Sequence, residues 1–406
     1  MIEKKKNLKK GVRVLNKKVL IYFNEYHLKP IGGPAGYLYN LKKEIDEKKI
    51  ENIYFIQGED KDSSKKVFLH KLPKAIVKLY YLYSRIKERK YLLGSSKKEA
   101  VLDLNEYDIV HFHSTISLYK CKDSLENYKG KVVLTSHSPK PMFLEKYEDT
   151  GLLKFEKTIN KKKYMEGYAN IDEYAFNRAD YIVFPCEEAE EPYYNNWERY
   201  KLIKEKNKDK YRYLLTGINP AIVKVKREDY RKNCNIPNEA FVISYVGRHN
   251  ETKGYNVLTD IGNEVLANDN FYFLIGGREE PLTGLTNDKW IEIGWTNDPH
   301  SLINSADVFI LPNKETYFDL IMLEVLSLGK IVIASNTGGN KYFKKLNAEG
   351  VLLYNNVEEL KELIQKISNM SIEERRILEQ SNKEMFNNNF TKEIFTRNYV
   401  EILNIL

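Results

Sequence analysis

The apolar residues of this chain fall into short runs separated by longer amphipathic stretches. In the first half the runs are Val19–Phe23, Ile53–Phe55, Ile109–Phe112, Val132–Thr135 and Tyr181–Phe184. In the second half they are Val242–Val246, Tyr272–Ile275, Trp290–Ile293, Val308–Leu311 and Ile331–Ala334. Each has the length of a buried strand, and the stretches between them carry helical patterns. Strands that alternate with helices predict parallel sheets and the α/β class. The pattern occurs twice, and 406 residues suit two domains of ordinary size. A lysine-rich polar stretch, Tyr200–Lys210, lies between the halves, and the hinge is expected at Asn219–Arg227. The expected division is residues 1–219 for an N-terminal Rossmann-like domain and 220–385 for a C-terminal one. Residues 386–406 would form a last helix able to pack back on the first domain. Doubly wound sheets bind ligands outside the carboxyl ends of their strands. Two such domains facing one another would place a ligand in the cleft between them.

Composition narrows the class. No apolar run approaches the roughly 20 residues that span a bilayer. The N-terminal apolar run is short, and no signal-peptide cleavage pattern follows it. Cys121, Cys186 and Cys234 are far apart and lack metal-binding spacing, so reduced thiols in a cytoplasmic setting are expected. The formal net charge is +8, and it is uneven. Lys4, Lys5, Lys6, Lys9, Lys10, Arg13, Lys17 and Lys18 crowd the start, and a second basic stretch runs from Lys61 to Lys98. An anionic membrane and a plain solvated face both account for such a surface. Nucleic acid is not expected as a partner, because no nucleic-acid motif accompanies the charge. In Leu72–Leu93, Ile76, Leu79, Tyr80 and Tyr83 fall at helical spacing, as do Leu82 and Ile86. Lys74, Lys78, Arg85, Lys87, Arg89 and Lys90 flank them. This composition fits a helix lying at a membrane surface, peripheral on the inner face. It fits equally a helix packed on its own domain.

Five motifs carry candidate chemistry. Gly32-Gly33-Pro34-Ala35-Gly36 stands between the first strand and a helical pattern, Tyr37–Ile45. Glycines there let backbone approach a ligand, and the helix start offers N–H groups to an anion. A plain loop would read the same way. Gly247-Arg248 follows a strand, and Lys253-Gly254 opens the next helix. A guanidinium fork and an ammonium converging there suit a diphosphate. Pro312–Asp319 leads into Leu320–Leu328, an apolar helix interrupted by Glu324. A carboxylate among such neighbours needs a partner, and the two hydroxyls of a ribose would serve. Thr337-Gly338-Gly339-Asn340 is a further glycine turn at a strand exit. His137, in Thr135-Ser136-His137-Ser138, follows a strand and admits both a cleft and a structural role. His111 and His113 alternate along a strand and so share a face. No third metal ligand is evident near them, and a metal site is not expected there.

In this order the motifs resemble glycosyltransferase family 4. YVGRHNETKG is similar to the family's diphosphate segment. PNKETYFDLIMLEVLSLGKIVIASNTGG is similar to its acidic motif, helix and glycine turn. GGPAGYLYNL, DIVHFH, LTSHS, ADYIVF and LLTGIN fall where the family has comparable N-terminal segments. The resemblance implies a GT-B fold of two Rossmann-like domains, with the nucleotide sugar on the C-terminal one. It implies a retaining transfer of a hexose or N-acetylhexosamine from a nucleotide-diphosphate sugar, with UDP the expected nucleotide. The acceptor class is a glycan or a lipid- or protein-linked acceptor in surface polysaccharide or glycoconjugate synthesis. No metal and no bound cofactor is expected. Arg248, Lys253 and His137 take the catalytic positions. Gly33, Gly247, Arg248, Lys253, Thr316, Tyr317, Phe318, Asp319, Leu320 and Glu324 take the donor positions. One departure stands out. The family has two glutamates separated by seven residues, and the first falls here on Thr316, with Glu315 one residue off register. Tyr317-Phe318-Asp319 replaces its Gly-Phe-Gly element. A catalytically degenerate homologue acting as partner subunit or sugar-binding module is the alternative. A metal-dependent transferase would need an Asp-x-Asp pair, and the chain offers only Asp60-Lys61-Asp62, in a lysine-rich loop.

Overall fold

The computed structural model describes residues 15–24, 27–30, 33–58, 72–93, 102–148, 154–267, 270–279 and 281–406. The basic N-terminal run up to Arg13, Gly32 and the Asp60-Lys61-Asp62 pair lie outside the described residues. The chain divides into two compact units. The first holds residues 1–184, 193–214 and 396–406, and the second holds 185–192 and 215–395. The passage from one to the other at Leu214–Leu215 precedes the hinge expected at Asn219. The last helix begins at Lys392, and the segment from 386 to Asn389 belongs to the preceding helix, Ile372–Asn389.

The first unit is built on a parallel sheet of β1 (Val19–Phe23), β2 (Ile53–Gln57), β3 (Ile109–Phe112), β4 (Lys131–Thr135), β5 (Tyr181–Phe184) and β6 (Tyr211–Tyr213). The order across it is β2-β1-β3-β4-β5-β6. The second unit carries β7 (Phe241–Arg248), β8 (Phe271–Arg278), β9 (Trp290–Gly294), β10 (Val308–Leu311), β11 (Ile331–Ser335) and β12 (Val351–Tyr354). Its order is β12-β11-β10-β7-β8-β9, the doubly wound dinucleotide-fold arrangement. Central strands such as β1 and β10 are buried at every position, as parallel strands covered on both faces must be. The strand order reverses between β7 and β10. There the connections after the two strands leave in opposite directions and open a crevice at the strands' carboxyl ends.

The base of this β7–β10 pair is tied by Asp307. Its carboxylate accepts from Arg227 (2.7 Å), from the fully buried Arg231 (2.8 Å) and from the Val242 N–H (2.8 Å). Burial opposes the charge on Asp307, but Arg227, the Val242 N–H and Arg231 outweigh it and hold the carboxyl below the usual range.

In the first unit the alternation of His111 and His113 does put both rings on one face, 4.1 Å apart. His111 bonds the Tyr399 hydroxyl at 2.9 Å and the Thr135 hydroxyl at 2.8 Å. His113 Nδ1 meets His137 Nε2 at 2.9 Å, and the Tyr37 ring packs on His137 at 4.6 Å. Burial pushes His111 and His137 down to about 3, and His113 well below the ordinary imidazole range. All three are therefore neutral at pH 7.

This column predicts acid lability. The folded pKa values lie below the unfolded value of about 6.5, so the unfolded chain takes up protons first as pH falls. Stability is complete above about pH 6.5 and declines toward pH 3, by up to about 1.4 kcal/mol per pH unit for the fully buried His111. Asp172, pushed up to about 7 by burial against its Thr115 bond, titrates in the opposite sense and offsets one such group. Denaturant unfolding followed from pH 7 to 4.5 is expected to show a net loss. A flat or rising profile would contradict a neutral column.

Candidate functional site

Two loops meet at the carboxyl ends of β7 and β10. Gly247 and Arg248 end β7, and the Tyr245 hydroxyl donates to the Arg248 carbonyl at 2.9 Å, which leaves the exposed guanidinium to solvent. A tight turn follows, in which Asn250 Oδ1 accepts from the Lys253 N–H at 2.9 Å. Gly254 sits at φ 68° and opens the helix Tyr255–Val265. A Cβ at this glycine would collide with the Pro312 carbonyl oxygen, so only glycine admits the close approach of the loop after β10. A backbone bond from the Lys314 N–H to the Thr252 carbonyl, 3.0 Å, runs between the same two loops.

The approach brings charges together. Lys253 Nζ donates to both oxygens of Asp319, at 2.9 and 2.7 Å. Asn313 Nδ2 donates to Asp319 Oδ2 at 2.6 Å. The cationic head expected to stand open for a diphosphate is therefore held by a carboxylate. Asp319 precedes the helix Leu320–Ser327 but makes no side-chain cap, so the Leu320 and Ile321 N–H groups have no helical partner.

Of the other residues of this loop, Thr316, Tyr317 and Phe318 are buried. Thr316 is fully buried, and its hydroxyl has no hydrogen-bond partner among the described residues. Tyr317 and Phe318 were expected to face the donor. Both are buried, and the Phe318 ring stacks on Phe343 at 5.6 Å and meets Phe390 at 6.1 Å, so its side chain serves the core. Glu324, the carboxylate inside the apolar helix Leu320–Ser327, is half-buried and lies 3.4 Å from His300 Nε2. Burial lowers His300, but the bond and charge of Glu324 prevail and raise it above its ordinary value. The glycine turn at Thr337–Asn340 is not open either. Glu191 accepts from the Thr337 hydroxyl and the Gly338 N–H, both at 3.3 Å, and pairs with Lys341.

The candidates of the first unit are placed separately. Gly33 is exposed at φ 78° and begins the helix Pro34–Lys48 without a side-chain cap. His137 lies in the buried histidine column rather than apart from it. Asn313 and His300 were not anticipated. Asn313 directly follows a strand-ending proline, a position that signals a strand exit. His300 is remote in sequence from Glu324, and no local pattern points to it.

Residues 226–385 match the model described as glycosyl transferases group 1, and residues 31–197 match the model glycosyltransferase family 4. An O-antigen biosynthesis glycosyltransferase of Escherichia coli, WclY, is 24% identical over 153 residues, 33% of this chain and 42% of that protein. The chain thus spans about two fifths of the length of the curated relatives it matches. Sucrose-phosphate synthase from Thermosynechococcus elongatus aligns with a TM-score of 0.64 at 16% identity, covering 95% of this chain and 98% of that one. Anabaena HepE in complex with UDP-glucose aligns with a TM-score of 0.63 at 13% identity, covering 96% and 100%. The family models fall on both units in chain order, and the chain belongs to glycosyltransferase family 4, with the GT-B fold.

Proposed function

We propose that this protein is a retaining glycosyltransferase that moves a hexose or N-acetylhexosamine from a UDP-sugar to a glycan, lipid-linked or protein-linked acceptor in surface polysaccharide or glycoconjugate synthesis. The observation that carries this reading is the pair Arg248 and Lys253 at the strand-order reversal of the second unit, beside the uncapped helix start at Leu320. WclY, by name an O-antigen biosynthesis enzyme, and HepE, solved with UDP-glucose, support the polysaccharide setting and the nucleotide.

In this reading the diphosphate lies against Arg248, Lys253 and the Leu320 and Ile321 N–H groups. Lys253 exchanges its Asp319 bonds for phosphate oxygens. Glu324, already oriented by His300, accepts from the ribose hydroxyls. The buried Thr316 hydroxyl is suited to a polar group of the sugar. Gly33 and His137 belong to the acceptor-side unit. During transfer the bond from sugar C1 to the leaving phosphate oxygen breaks, and the acceptor oxygen bonds C1 on the same face. The acceptor's proton passes to the leaving phosphate. Arg248 and Lys253 stabilise the charge that builds there, the role that preorganised donors and cations fill in such reactions. They supply this charge without a metal.

A second reading, a degenerate homologue that binds sugar or a partner subunit without turnover, draws on two observations. Thr316 stands where the family has a glutamate, and Asp319 neutralises Lys253. Incubation with a panel of sugar nucleotides separates the two. We expect release of UDP from at least one UDP-sugar. Arg248→Ala and Lys253→Ala should each lose about 2–4 kcal/mol of transition-state stabilisation, roughly a hundredfold or more in rate, with unchanged circular dichroism. Near-wild-type rates in both variants would reject the donor-site assignment. No turnover with any sugar nucleotide would favour the degenerate reading.

Peripheral membrane contact belongs to the same proposal. No helix among the described residues is long and apolar enough to cross a membrane. The helix Lys74–Leu92 has two apolar stripes. Leu82 and Ile86 are half-buried, whereas Ile76, Leu79, Tyr80 and Tyr83 are exposed. Arg85, Lys87 and Lys90 are exposed beside them. Arg89, counted from sequence as a cationic flank, is instead buried with its guanidinium over the Tyr164 ring at 4.7 Å. An exposed aromatic and aliphatic stripe with cationic neighbours suits an anionic lipid surface, and each basic residue adds about 1 kcal/mol there. In flotation with anionic vesicles, the protein is expected to float at low salt and to sediment at high salt. Leu79→Ser with Tyr83→Ser, or Arg85→Glu with Lys87→Glu, should abolish flotation. Wild type remaining soluble at low salt would reject the contact.

A further inference from the structure

We propose that His249, Glu279 and Glu292 form a binding site for one divalent first-row metal ion, of the zinc and cobalt class, at the ends of β7, β8 and β9. His249 directly follows β7, Glu279 directly follows β8, and Glu292 lies within β9. These three strands are neighbours in the sheet, so the topology alone brings the residues to one edge. One ligand atom from each lies within 4.8 Å of the other two. Among the described residues, no other group of three His, Cys, Asp or Glu side chains has this closeness.

The second, independent observation is the unmet bonding capacity inside the cluster. His249 is fully buried, and among the described residues neither ring nitrogen has a hydrogen-bond partner. Glu292 Oε2 is buried and likewise lacks a partner among them. Buried polar groups are almost always satisfied, because otherwise each carries its full desolvation penalty. The two orphaned atoms face each other, with His249 Nε2 and Glu292 Oε2 at 3.9 Å. That is too long for a hydrogen bond. Two ligands of one tetrahedral ion, with bonds of about 2.0–2.2 Å, lie about 3.3–3.6 Å apart, so closure by a few tenths of an ångström would bring this pair to ligand spacing.

The surroundings hold the ligands in place. The imidazole stacks on Tyr255 at 3.9 Å with an interplanar angle of 7°, which fixes the ring plane. The His249 N–H donates to the Arg278 carbonyl and its own carbonyl accepts from the Leu282 N–H, both at 3.0 Å. Glu292 Oε1 accepts from the Tyr255 hydroxyl and from Trp290 Nε1, which turns Oε2 toward the imidazole. Such outer bonds orient metal ligands. Glu279 is exposed, which gives the ion an entry path and a mobile third ligand. One imidazole and two carboxylates suit zinc or cobalt, whereas calcium takes six to eight oxygens. The ion's place is structural. It would pin the turn that carries Arg248 and Lys253 to the ends of β8 and β9.

The test uses the full chain, stripped with chelator and desalted, and titrated with Co2+ alone. Visible absorption should saturate at one equivalent per chain, Zn2+ should displace the signal, and Zn2+ should raise the Tm. His249→Leu keeps an apolar body against the Tyr255 ring, and Glu279→Gln alters only an exposed side chain, so both should fold by circular dichroism. Each should abolish the Co2+ signal and the Tm shift, while His27→Asn in the other unit leaves both intact. Absence of binding by wild type would overturn the proposal. So would retention of the signal in His249→Leu or in Glu279→Gln. Were His249→Leu not to fold, Glu279→Gln would decide alone.

Discussion

The second unit depends on how β7 and β10 are held together at the point where the strand order reverses. The pair is clamped at both ends. At the base, the Asp307 carboxylate gathers Arg227, Arg231 and the Val242 N–H of β7. At the carboxyl ends, Lys253 grips Asp319 while Gly254 admits the Pro312 carbonyl against its own backbone. Base and top have different freedoms. The base is buried and its arginines are satisfied by fixed carbonyls, such as those of Ser305 and Ala240. The top is half-exposed, and in the proposed function its ion pair is exchanged for a ligand.

That contrast sets the chemistry the crevice can support. A lysine aimed at an anion site without a resident carboxylate would attract any phosphate. Here Asp319 competes, so an incoming diphosphate must offer more than one carboxylate does. In the proposed donor complex two phosphates, a guanidinium at Arg248 and the uncapped N–H groups at Leu320 and Ile321 would together supply that excess. Asp319 occupies a place where the family carries glycine, and the added carboxylate is the clearest change in the electrostatics of this loop.

Much of the fold was legible because parallel strands, buried on both faces, are written as unbroken apolar runs. All ten strands expected from such runs are present, with β2, β4, β7, β8, β9 and β11 extended at one or both ends. Two of the four edge strands, β6 and β12, escaped notice. β6 is three residues long with Arg212 at its centre, and β12 is half-buried over most of its length. Arg248, Lys253 and Glu324 were legible because a charge directly after a strand, or inside an apolar helix, breaks a strong pattern. Their partners were not. Asp319 reads as a substitution in a motif, His300 as an isolated polar residue, and Glu191 as one acid among several. Only the folded chain brings each to its counterpart. Arg89 erred in the opposite direction, because local spacing cannot tell a buried guanidinium from a solvated one.

The central claim is that the crevice at β7 and β10 holds the nucleotide of the donor. Calorimetric titration with UDP tests it most directly, because nucleotide binding does not depend on knowing the sugar or the acceptor. The account predicts saturable binding of one UDP per chain. Glu324→Ala should weaken it about tenfold or more, the worth of about 1.5–3 kcal/mol for a hydrogen bond to a charged group. No binding of UDP by the wild type, or equal affinity in the wild type and Glu324→Ala, would contradict it.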